Sequence, residues 1–236
     1  IPSMKLRLAT PDTLVDLHGV GGLDTIAVTA DAVTVGAMTT HAAVADSAAV
    51  QVAIPALAAL AGGIGDPQVR NRGTLGGAIA NNDPAADYPA ALVALGATVV
   101  TSDRTIPAEA FFLGMFETAL APGEIVTAVR FPLAHGAAYE KFRSPASRYA
   151  LAGVFVAVTG DGVRVAVTGA GPCVFRLPDL EAMLAERFAP EALANARIPT
   201  DGLNADMHAD AEYRAHLVCV LTRRAVARIV ADGTSR

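Results

Sequence analysis

The pattern of hydrophobic and polar positions predicts an α+β chain in which strands and helices alternate without a repeating strand–helix–strand unit. Two β-branched runs, Thr25 to Thr29 and Ala32 to Gly36, flank an Ala-Asp turn and predict a β-hairpin. Apolar residues at helical spacing then follow Thr39 and Thr40, either of which is the predicted N-cap. Because Pro55 interrupts this stretch, we predict two helices there.

Shorter patterns continue to the predicted domain boundary. They comprise a helix running into a strand, "PAALVALGATVV"; a turn with an edge strand, "SDRTIP"; a helical turn, "AEAFFLG"; and a strand, "GEIVTAVRFP". Pro132, followed by "LAHGAA", is the best candidate for the boundary. We therefore expect one domain over residues 1–132 and a second over residues 133–236.

Strands precede helices in the second predicted domain. The segments "AAYEKFRS", "GVFVAVTG" and "VRVAVTG" alternate like antiparallel strands, and the Asp161-Gly162 pair predicts a hairpin turn between the last two. The segments "LPDLEAMLAERF" and "ADAEYRAHLVCVLTRRAVARIVA" predict helices, the second of which is long, amphipathic and ends at Gly233. The pattern thus predicts a three-stranded antiparallel sheet followed by helices.

Composition narrows the class of protein. Hydrophobic residues make up 53% and charged residues 17% of the chain, and no apolar run approaches the roughly 18 to 20 residues that a membrane span needs. The net charge of -5 and the scattered Lys and Arg residues argue against a nucleic-acid partner. Cys173 and Cys219 show no metal-ligand spacing and no disulfide framework, so we expect a reducing, cytoplasmic protein.

The start of the chain, "IPSMKLRLATP", shows no secretory signal pattern. Alternation of apolar and polar residues begins at once in "MKLRLATPDTLVDL". We therefore expect residue 1 to lie inside a structural unit whose upstream part is missing.

Common nucleotide-binding motifs are absent. Asp24 stands where a dinucleotide-binding loop starting at Gly19 needs its third glycine, and Val174 stands there for the loop starting at Gly169. The chain also contains no P-loop sequence. A Rossmann or P-loop protein is therefore disfavoured.

Metal and catalytic residues are not indicated either. His208, Glu212 and His216 have a spacing that could place three ligands on one helix face, but solvated or helix-capping roles are favoured. His18 and His41, like His135, are isolated, and no nucleophile with a partner base emerges from local motifs. We predict neither a catalytic side chain nor a metal site.

The segment "RGTLGGAIANNDPAADYP" is the strongest candidate site. Thr74 stands beside Gly76 and Gly77, which could take positive φ and present successive backbone N–H groups to an anion such as a diphosphate. A tight structural turn is the alternative, and a bare T-x-G-G favours it. The polar residues that follow could bond sugar hydroxyls, in a stretch too rich in Pro and Asx for a core: Asn81, Asn82, Asp83 and Asp87.

These residues also carry a family resemblance. The segment "IGDPQVRNRGTLGGAIANNDPAADYPAALVALGA" closely resembles the second FAD-binding motif of the medium, flavoprotein subunit of molybdenum hydroxylases, the family of carbon monoxide dehydrogenase and xanthine dehydrogenase. Further segments resemble that family in the same order: "MKLRLATPDTLVDL", "GEIVTAVRFP", "AAYEKFRSPASRYALAGVFVAV" and "DMHADAEYRAHLVCVLTRRA". The resemblance implies an FAD-binding domain of two α/β subdomains, followed by a domain with a three-stranded antiparallel sheet and a helical bundle.

The resemblance also implies the cofactor-binding residues. The loop under the FAD diphosphate would be Thr74, Leu75, Gly76, Gly77 and Ala78. Asp87 would accept a hydrogen bond from the cofactor, Val126 would supply a backbone contact, and Lys141 a cationic contact near the flavin. A positive charge there would stabilise reduced, anionic flavin.

Two departures from the family pattern are visible. Ala78 occupies a position where the family commonly has Asn or Ser, so one side-chain hydrogen bond to the cofactor is lost. The family's first glycine loop, which also binds the diphosphate, precedes the segment corresponding to Ile1-Pro2 and is not in this sequence. We expect the first subdomain to be truncated and FAD affinity to depend on that loop.

The implied function is electron relay. Substrate would be oxidised at a molybdopterin centre on a large partner subunit, and electrons would pass through [2Fe–2S] clusters on a small subunit to FAD on this chain, in a dimer of heterotrimers. The alternative is a flavin-free, truncated subunit that acts as an assembly and docking module. A stand-alone flavin oxidase of the vanillyl-alcohol oxidase type is disfavoured, because residues 133–236 offer no convincing acid–base pair.

Overall fold

The computed structural model describes residues 2–8 and 10–234. Its first part contains eight α-helices and seven strands within those residues. In chain order these are α1 (Pro2–Lys5), β1 (Ile26–Val28), β2 (Ala32–Gly36), α2 (His41–Asp46), α3 (Ala48–Ala53), α4 (Pro55–Gly62), α5 (Pro67–Arg72), α6 (Leu75–Asn81), α7 (Tyr88–Leu95), β3 (Thr98–Thr101), β4 (Thr105–Pro107), α8 (Ala108–Phe111), β5 (Phe112–Gly114), β6 (Glu117–Thr118) and β7 (Val126–Pro132).

A five-stranded antiparallel sheet forms the framework of this part, in the order β1-β2-β7-β3-β4. The predicted hairpin is confirmed, with Ile26 opposite Val35. β2 pairs with β7, which arrives about 90 residues later in the chain, so the central pairing is long-range. The segment "AEAFFLG" forms the single turn α8 and then enters β5, so the predicted helical turn covers only its first half.

Residues 41–62 form three helices, whereas the sequence predicted two. Thr40 caps α2, since its hydroxyl accepts a hydrogen bond from the N–H of Ala43. Ser47 then ends α2 and caps α3 in the same way. Pro55 is the first residue of α4, which confirms the helix break predicted at this proline. The missed boundary is Ser47, whose hydroxyl competes with the helix for backbone partners.

The second part of the chain forms a sheet covered by helices. Its elements are β8 (Gly136–Arg143), β9 (Ala150–Thr159), β10 (Gly162–Thr168), β11 (Phe175–Arg176), α9 (Pro178–Glu186), a 3₁₀ turn (Pro190–Leu193) and α10 (Ala211–Thr234). The three predicted strands are confirmed, and Gly162, at φ 118°, completes the predicted hairpin turn between β9 and β10. The sheet has a fourth strand, β11, whose two residues are too few to leave a pattern in the sequence.

Strand β9 contributes side chains to two hydrophobic cores, one of which it shares with the first sheet. Successive side chains of a strand face opposite sides of a sheet. Phe155 and Ala157 accordingly pack into the core beneath α7 and the first sheet, whereas Val154 and Val156 pack into a second core against α9 and α10. Both faces of β9 are therefore buried, which is why its sequence is almost continuously apolar. Within residues 2–8 and 10–234, no helix has the length and apolar character of a membrane span.

Candidate cofactor site

The glycine motif lies at the start of α6, against the segment that follows β2. Three backbone hydrogen bonds fix it there: Gly76 N–H to the carbonyl of Ala37 (2.8 Å), Leu75 N–H to that of Thr39 (3.0 Å), and His41 N–H to that of Gly73 (2.9 Å). Thr40 and Thr74 form the β-bridge between the two segments. The motif is therefore supported directly by the end of the central sheet.

The backbone conformation predicted for the two glycines was wrong. Gly76 and Gly77 lie in the first turn of α6 and not at positive φ. The reason is the side chain of Thr74, which caps the helix by accepting a hydrogen bond from the N–H of Gly77 at 3.2 Å. The N–H of Ala78 bonds the carbonyl of Thr74 at 3.0 Å. All four N–H groups from Leu75 to Ala78 thus have partners within the chain, so they do not form the predicted row of free donors.

The two glycines nevertheless have different surroundings. A Cβ on Gly76 would lie 2.5 Å from the Cβ of Ala37 and 2.8 Å from its carbonyl oxygen, so only glycine fits between α6 and the sheet. A Cβ on Gly77 would meet only the hydroxyl of Thr74, at 3.0 Å, and this residue is exposed. Because the Thr74 hydroxyl accepts from Gly77, its own proton remains available for donation. An open surface beside a free hydroxyl donor fits a phosphate group of FAD.

A buried ion pair forms the second part of the site. The Nζ of Lys141 in β8 lies 2.9 Å from the carboxylate of Asp87, the residue just before α7, and both side chains are 3% exposed. Lys141 also donates to the carbonyl of Gly63 at 3.1 Å, and the hydroxyl of Tyr139 donates to Oδ1 of Asp87. Burial raises the pKa of Asp87, while Lys141 and Tyr139 act in the opposite direction.

His41 connects the glycine motif to this ion pair. A Cβ on Gly73 would lie 2.6 Å from Nε2 of His41, so the imidazole packs directly under the motif. The His41 ring also packs on Tyr88, at 5.4 Å between centroids, and Tyr88 follows Asp87 in the chain. Burial and, to a lesser degree, the charge of Arg70 lower the pKa of His41 to about 4. The imidazole is therefore neutral at pH 7.

His41 and Tyr139 were not predicted as site residues: His41 was interpreted as isolated, and Tyr139 was not singled out. A usable signal existed for Tyr139, because it stands two residues before Lys141 in a strand and so shares its face of the sheet. No local pattern pointed to His41, since the contacts with Gly73 and Tyr88 span about 30 and 50 residues of sequence.

Two of the remaining predicted site residues face the core. Leu75 is fully buried, and the side chain of Val126 in β7 is part of the first core. The carbonyl of Thr127, the next residue, accepts a hydrogen bond from Ala37 N–H at 2.9 Å. The structure thus brings β7 beside the segment that supports the glycine motif, and any contact of Val126 with a ligand would be through its backbone.

The polar residues after α6 have structural roles. Asn82 is buried in the left-handed conformation at the end of α6, and its amide donates to the carbonyls of Gly114 (2.7 Å) and Glu117 (2.8 Å). A carboxylate oxygen of Asp83 accepts from the N–H of Ala85 at 2.8 Å. The expectation that this stretch lies outside the core was wrong for Asn82, Asp87 and Tyr88, all of which are buried.

His208 lies in the loop before α10, so it does not share a helix face with Glu212 and His216. Across the described ranges, no three His, Cys, Asp or Glu side chains are grouped as a metal site would require.

The chain is thus an α+β protein in which a capped glycine helix lies near a buried ion pair. Residues 1–134 match the family model described as the FAD binding domain in molybdopterin dehydrogenase. The chain belongs to this family, which confirms the class of FAD-dependent oxidoreductase subunit that the glycine motif and the neighbouring segments predicted.

Known proteins resemble the chain over almost its whole length. The nicotine 6-hydroxylase medium subunit of Paenarthrobacter nicotinovorans is 39% identical over 240 residues, which cover 96% of this chain and 85% of that subunit. The carbon monoxide dehydrogenase medium chain of Hydrogenophaga pseudoflava is 35% identical over 242 residues, or 96% and 84% of the two chains. A structure of reconstituted CO dehydrogenase from Oligotropha carboxidovorans matches with a TM-score of 0.89 at 34% identity, covering 98% of this chain and 86% of that one.

Proposed function

We propose that this chain is the flavoprotein subunit of a molybdenum-containing hydroxylase or dehydrogenase. It binds FAD and receives electrons from [2Fe–2S] clusters on a small partner subunit, while a large molybdopterin-binding subunit oxidises the substrate. FAD, when bound, stores two electrons and passes them to a terminal acceptor such as NAD or a quinone. The observation that carries this proposal is the open surface of Gly77 beside the free hydroxyl proton of Thr74, in a chain of the FAD-binding family.

The five residues of the glycine motif have different roles in the proposed binding of FAD. Thr74 would donate a hydrogen bond from its hydroxyl to a phosphate oxygen, and Gly77, having no side chain, would leave room for that phosphate. Gly76 keeps α6 against Ala37 and so holds this surface in place. Leu75 anchors the loop through its buried side chain, and Ala78, which is half-buried, leaves room without adding a polar group.

The ion pair supplies the electrostatic part of the proposed site. The ammonium of Lys141 is held by Asp87 and by the carbonyl of Gly63, which together use two of its three N–H donors. Its positive charge would stabilise negative charge on a reduced flavin held nearby, because Coulomb interactions are strong where water is excluded. Asp87 sets the position of this charge and offers an acceptor to the cofactor, and Val126 contributes a backbone contact.

We also propose the assembly, the domain boundary and the compartment. The names medium subunit and medium chain among the relatives support a complex with large and small partner subunits. We propose that this complex is a dimer of heterotrimers. The domain boundary follows Pro132, where β7 ends, and the second domain begins before β8 at Gly136. Both cysteines are free thiols, which supports a cytoplasmic location.

A flavin-free docking module is the second candidate. It is favoured by one observation, that the N–H groups of Leu75 to Ala78 all have partners within the chain. A module of this kind would keep the fold and the partner contacts but hold no cofactor.

The FAD content of the complex, purified with its partner subunits, distinguishes the two candidates. We expect close to one FAD per chain, and bleaching of the flavin absorbance when the complex is reduced. Gly77→Val should abolish FAD retention by filling the phosphate space. Ala80→Val is the matched control, because Ala80 is an exposed residue of the same helix. A wild-type complex without flavin would favour the docking module.

A further inference from the structure

We propose that Tyr139 is a positioning residue of the flavin site: its hydroxyl holds the carboxylate of Asp87 and, through it, the ammonium of Lys141. This inference rests on the proposed function, because Lys141 matters to catalysis only if FAD binds beside it. Tyr139 does not itself need to contact the cofactor.

The geometry places two donors on either side of one acceptor. Tyr139 and Lys141 are two residues apart in β8, so both side chains leave the same face of the sheet. The hydroxyl of Tyr139 donates to Asp87, and the Nζ of Lys141 lies 2.9 Å from the same carboxylate. A carboxylate held by two donors from one strand has little freedom to rotate, so the ammonium is fixed as well.

Gly153 provides the room that this arrangement needs. It lies opposite Lys141 in the β8–β9 register, in the middle of the longest strand. A Cβ at this position would collide with the hydroxyl of Tyr139 and would lie 2.9 Å from Cγ2 of Thr168. Glycine inside a strand lowers stability, and it often marks a place where another group approaches closely. Here the approaching group is the hydroxyl that bonds Asp87.

The ring of Tyr139 is held independently of its hydroxyl. It stacks on Phe155, the residue opposite it in β9, at 6.2 Å between centroids and 29° between planes. Tyr139→Phe should therefore keep the packing and remove only the hydrogen bond to Asp87. Because that hydrogen bond helps to keep Asp87 ionised, its loss favours the protonated carboxyl and leaves the charge of Lys141 less compensated.

The test measures FAD binding and the midpoint potential of bound FAD in the purified complex. We expect Tyr139→Phe to weaken FAD binding by up to roughly tenfold, because Asp87 and Lys141 would lose a fixed arrangement, and the one lost hydrogen bond to a charged group sets the upper limit of the effect. We expect the potential to rise, because the less compensated ammonium stabilises reduced flavin. Tyr213→Phe, which removes the hydroxyl of a partly exposed tyrosine on α10, is the matched control and should change neither quantity.

Two double variants separate positioning from simple packing. In an Asp87→Asn background, Tyr139→Phe should shift the potential no further, since both changes act through the same carboxylate. Gly153→Ala should reproduce the raised potential by displacing the hydroxyl, and Tyr139→Phe should relieve part of its loss of stability. Wild-type affinity and potential in Tyr139→Phe would overturn this proposal alone, whereas a wild-type complex that binds no FAD would remove the proposed function with it.

Discussion

The ammonium of Lys141 and the carboxylate of Asp87 lie 2.9 Å apart in a place where only 3% of either side chain is exposed. Removing one partner of a buried ion pair strands the other charge, which typically destabilises a protein by about 3–5 kcal/mol. We therefore expect Lys141→Met to lower the free energy of unfolding by about that amount, measured by urea denaturation at pH 7.

The double variant Asp87→Asn with Lys141→Met is the control for this prediction. It leaves no unpaired charge, so it should be more stable than Lys141→Met alone. If the double variant were less stable than the single one by the full effect of Asp87→Asn, the two side chains would be contributing independently and not as a pair.

The stability of the protein should respond differently to alanine at the two glycines of α6. Gly76→Ala forces a methyl group to within 2.5 Å of the Cβ of Ala37, so we expect a loss of about 1–3 kcal/mol in the free energy of unfolding. Gly77→Ala meets only the Thr74 hydroxyl and replaces glycine in a helix, so we expect unchanged or slightly higher stability.

Gly77→Ala should lower FAD affinity even though it does not lower stability. The added methyl group occupies the space proposed for a phosphate, so Gly77→Ala should weaken FAD binding while the protein remains fully folded. Thermal unfolding and FAD fluorescence titration on the same samples measure both properties. A Gly77→Ala variant with wild-type FAD affinity would contradict the assignment of this surface.

The sequence predicted those strands and helices that are long or that begin or end at residues with a clear turn or capping preference. The β9–β10 hairpin followed from Asp161-Gly162, and the cap of α2 from Thr40. The boundary at Ser47 and the two-residue strand β11 were missed, because a single polar residue or a pair of residues leaves no periodicity to detect.

The candidate site was less accessible to sequence reasoning, since its geometry depends on long-range contacts. T-x-G-G drew attention to the right residues, but it suggested a turn at positive φ where Thr74 instead caps a helix. The packing of Gly76 on Ala37, and the hydrogen bond of Tyr139 to Asp87, join residues 39 and 52 positions apart. Such contacts are set by how the sheet and helices pack, and no local pattern encodes them.

The carboxylate of Glu124 should give the protein a stability component that acid removes. It accepts from the guanidinium of Arg104, from the N–H of Ala121 and from the hydroxyl of Thr101. These partners lower its pKa from 4.5 to about 2, with the Arg104 hydrogen bond the largest cause. Since the folded pKa is depressed, this stability is fully present above pH 4.5 and is lost as the pH falls toward 2.

Glu124→Gln should therefore be less stable than the wild type at pH 6, and the difference should shrink steadily between pH 4.5 and 2. Thermal unfolding over this range measures it. Glu186→Gln, at the exposed end of α9, is the matched control. A difference between Glu124→Gln and wild type that stayed constant down to pH 2 would contradict the role of the ionised carboxylate.

His41 should also lower stability in acid, but in a higher pH range and because burial excludes its charged form. Its folded pKa of about 4 lies below the ordinary value of 6.5, chiefly because burial disfavours the charged ring. Between these two values the unfolded chain binds more protons at this residue than the folded chain does, so stability falls as the pH drops from 6.5 to 4.

His41→Leu removes this pH-dependent component, so the variant should gain stability relative to the wild type as the pH falls over that interval. Urea unfolding at pH 7.5, 5.5 and 4.5 measures the change, with exposed His135→Leu as the control. Parallel pH profiles for the wild type and His41→Leu would show that the ring under Gly73 accepts a proton without disturbing the fold.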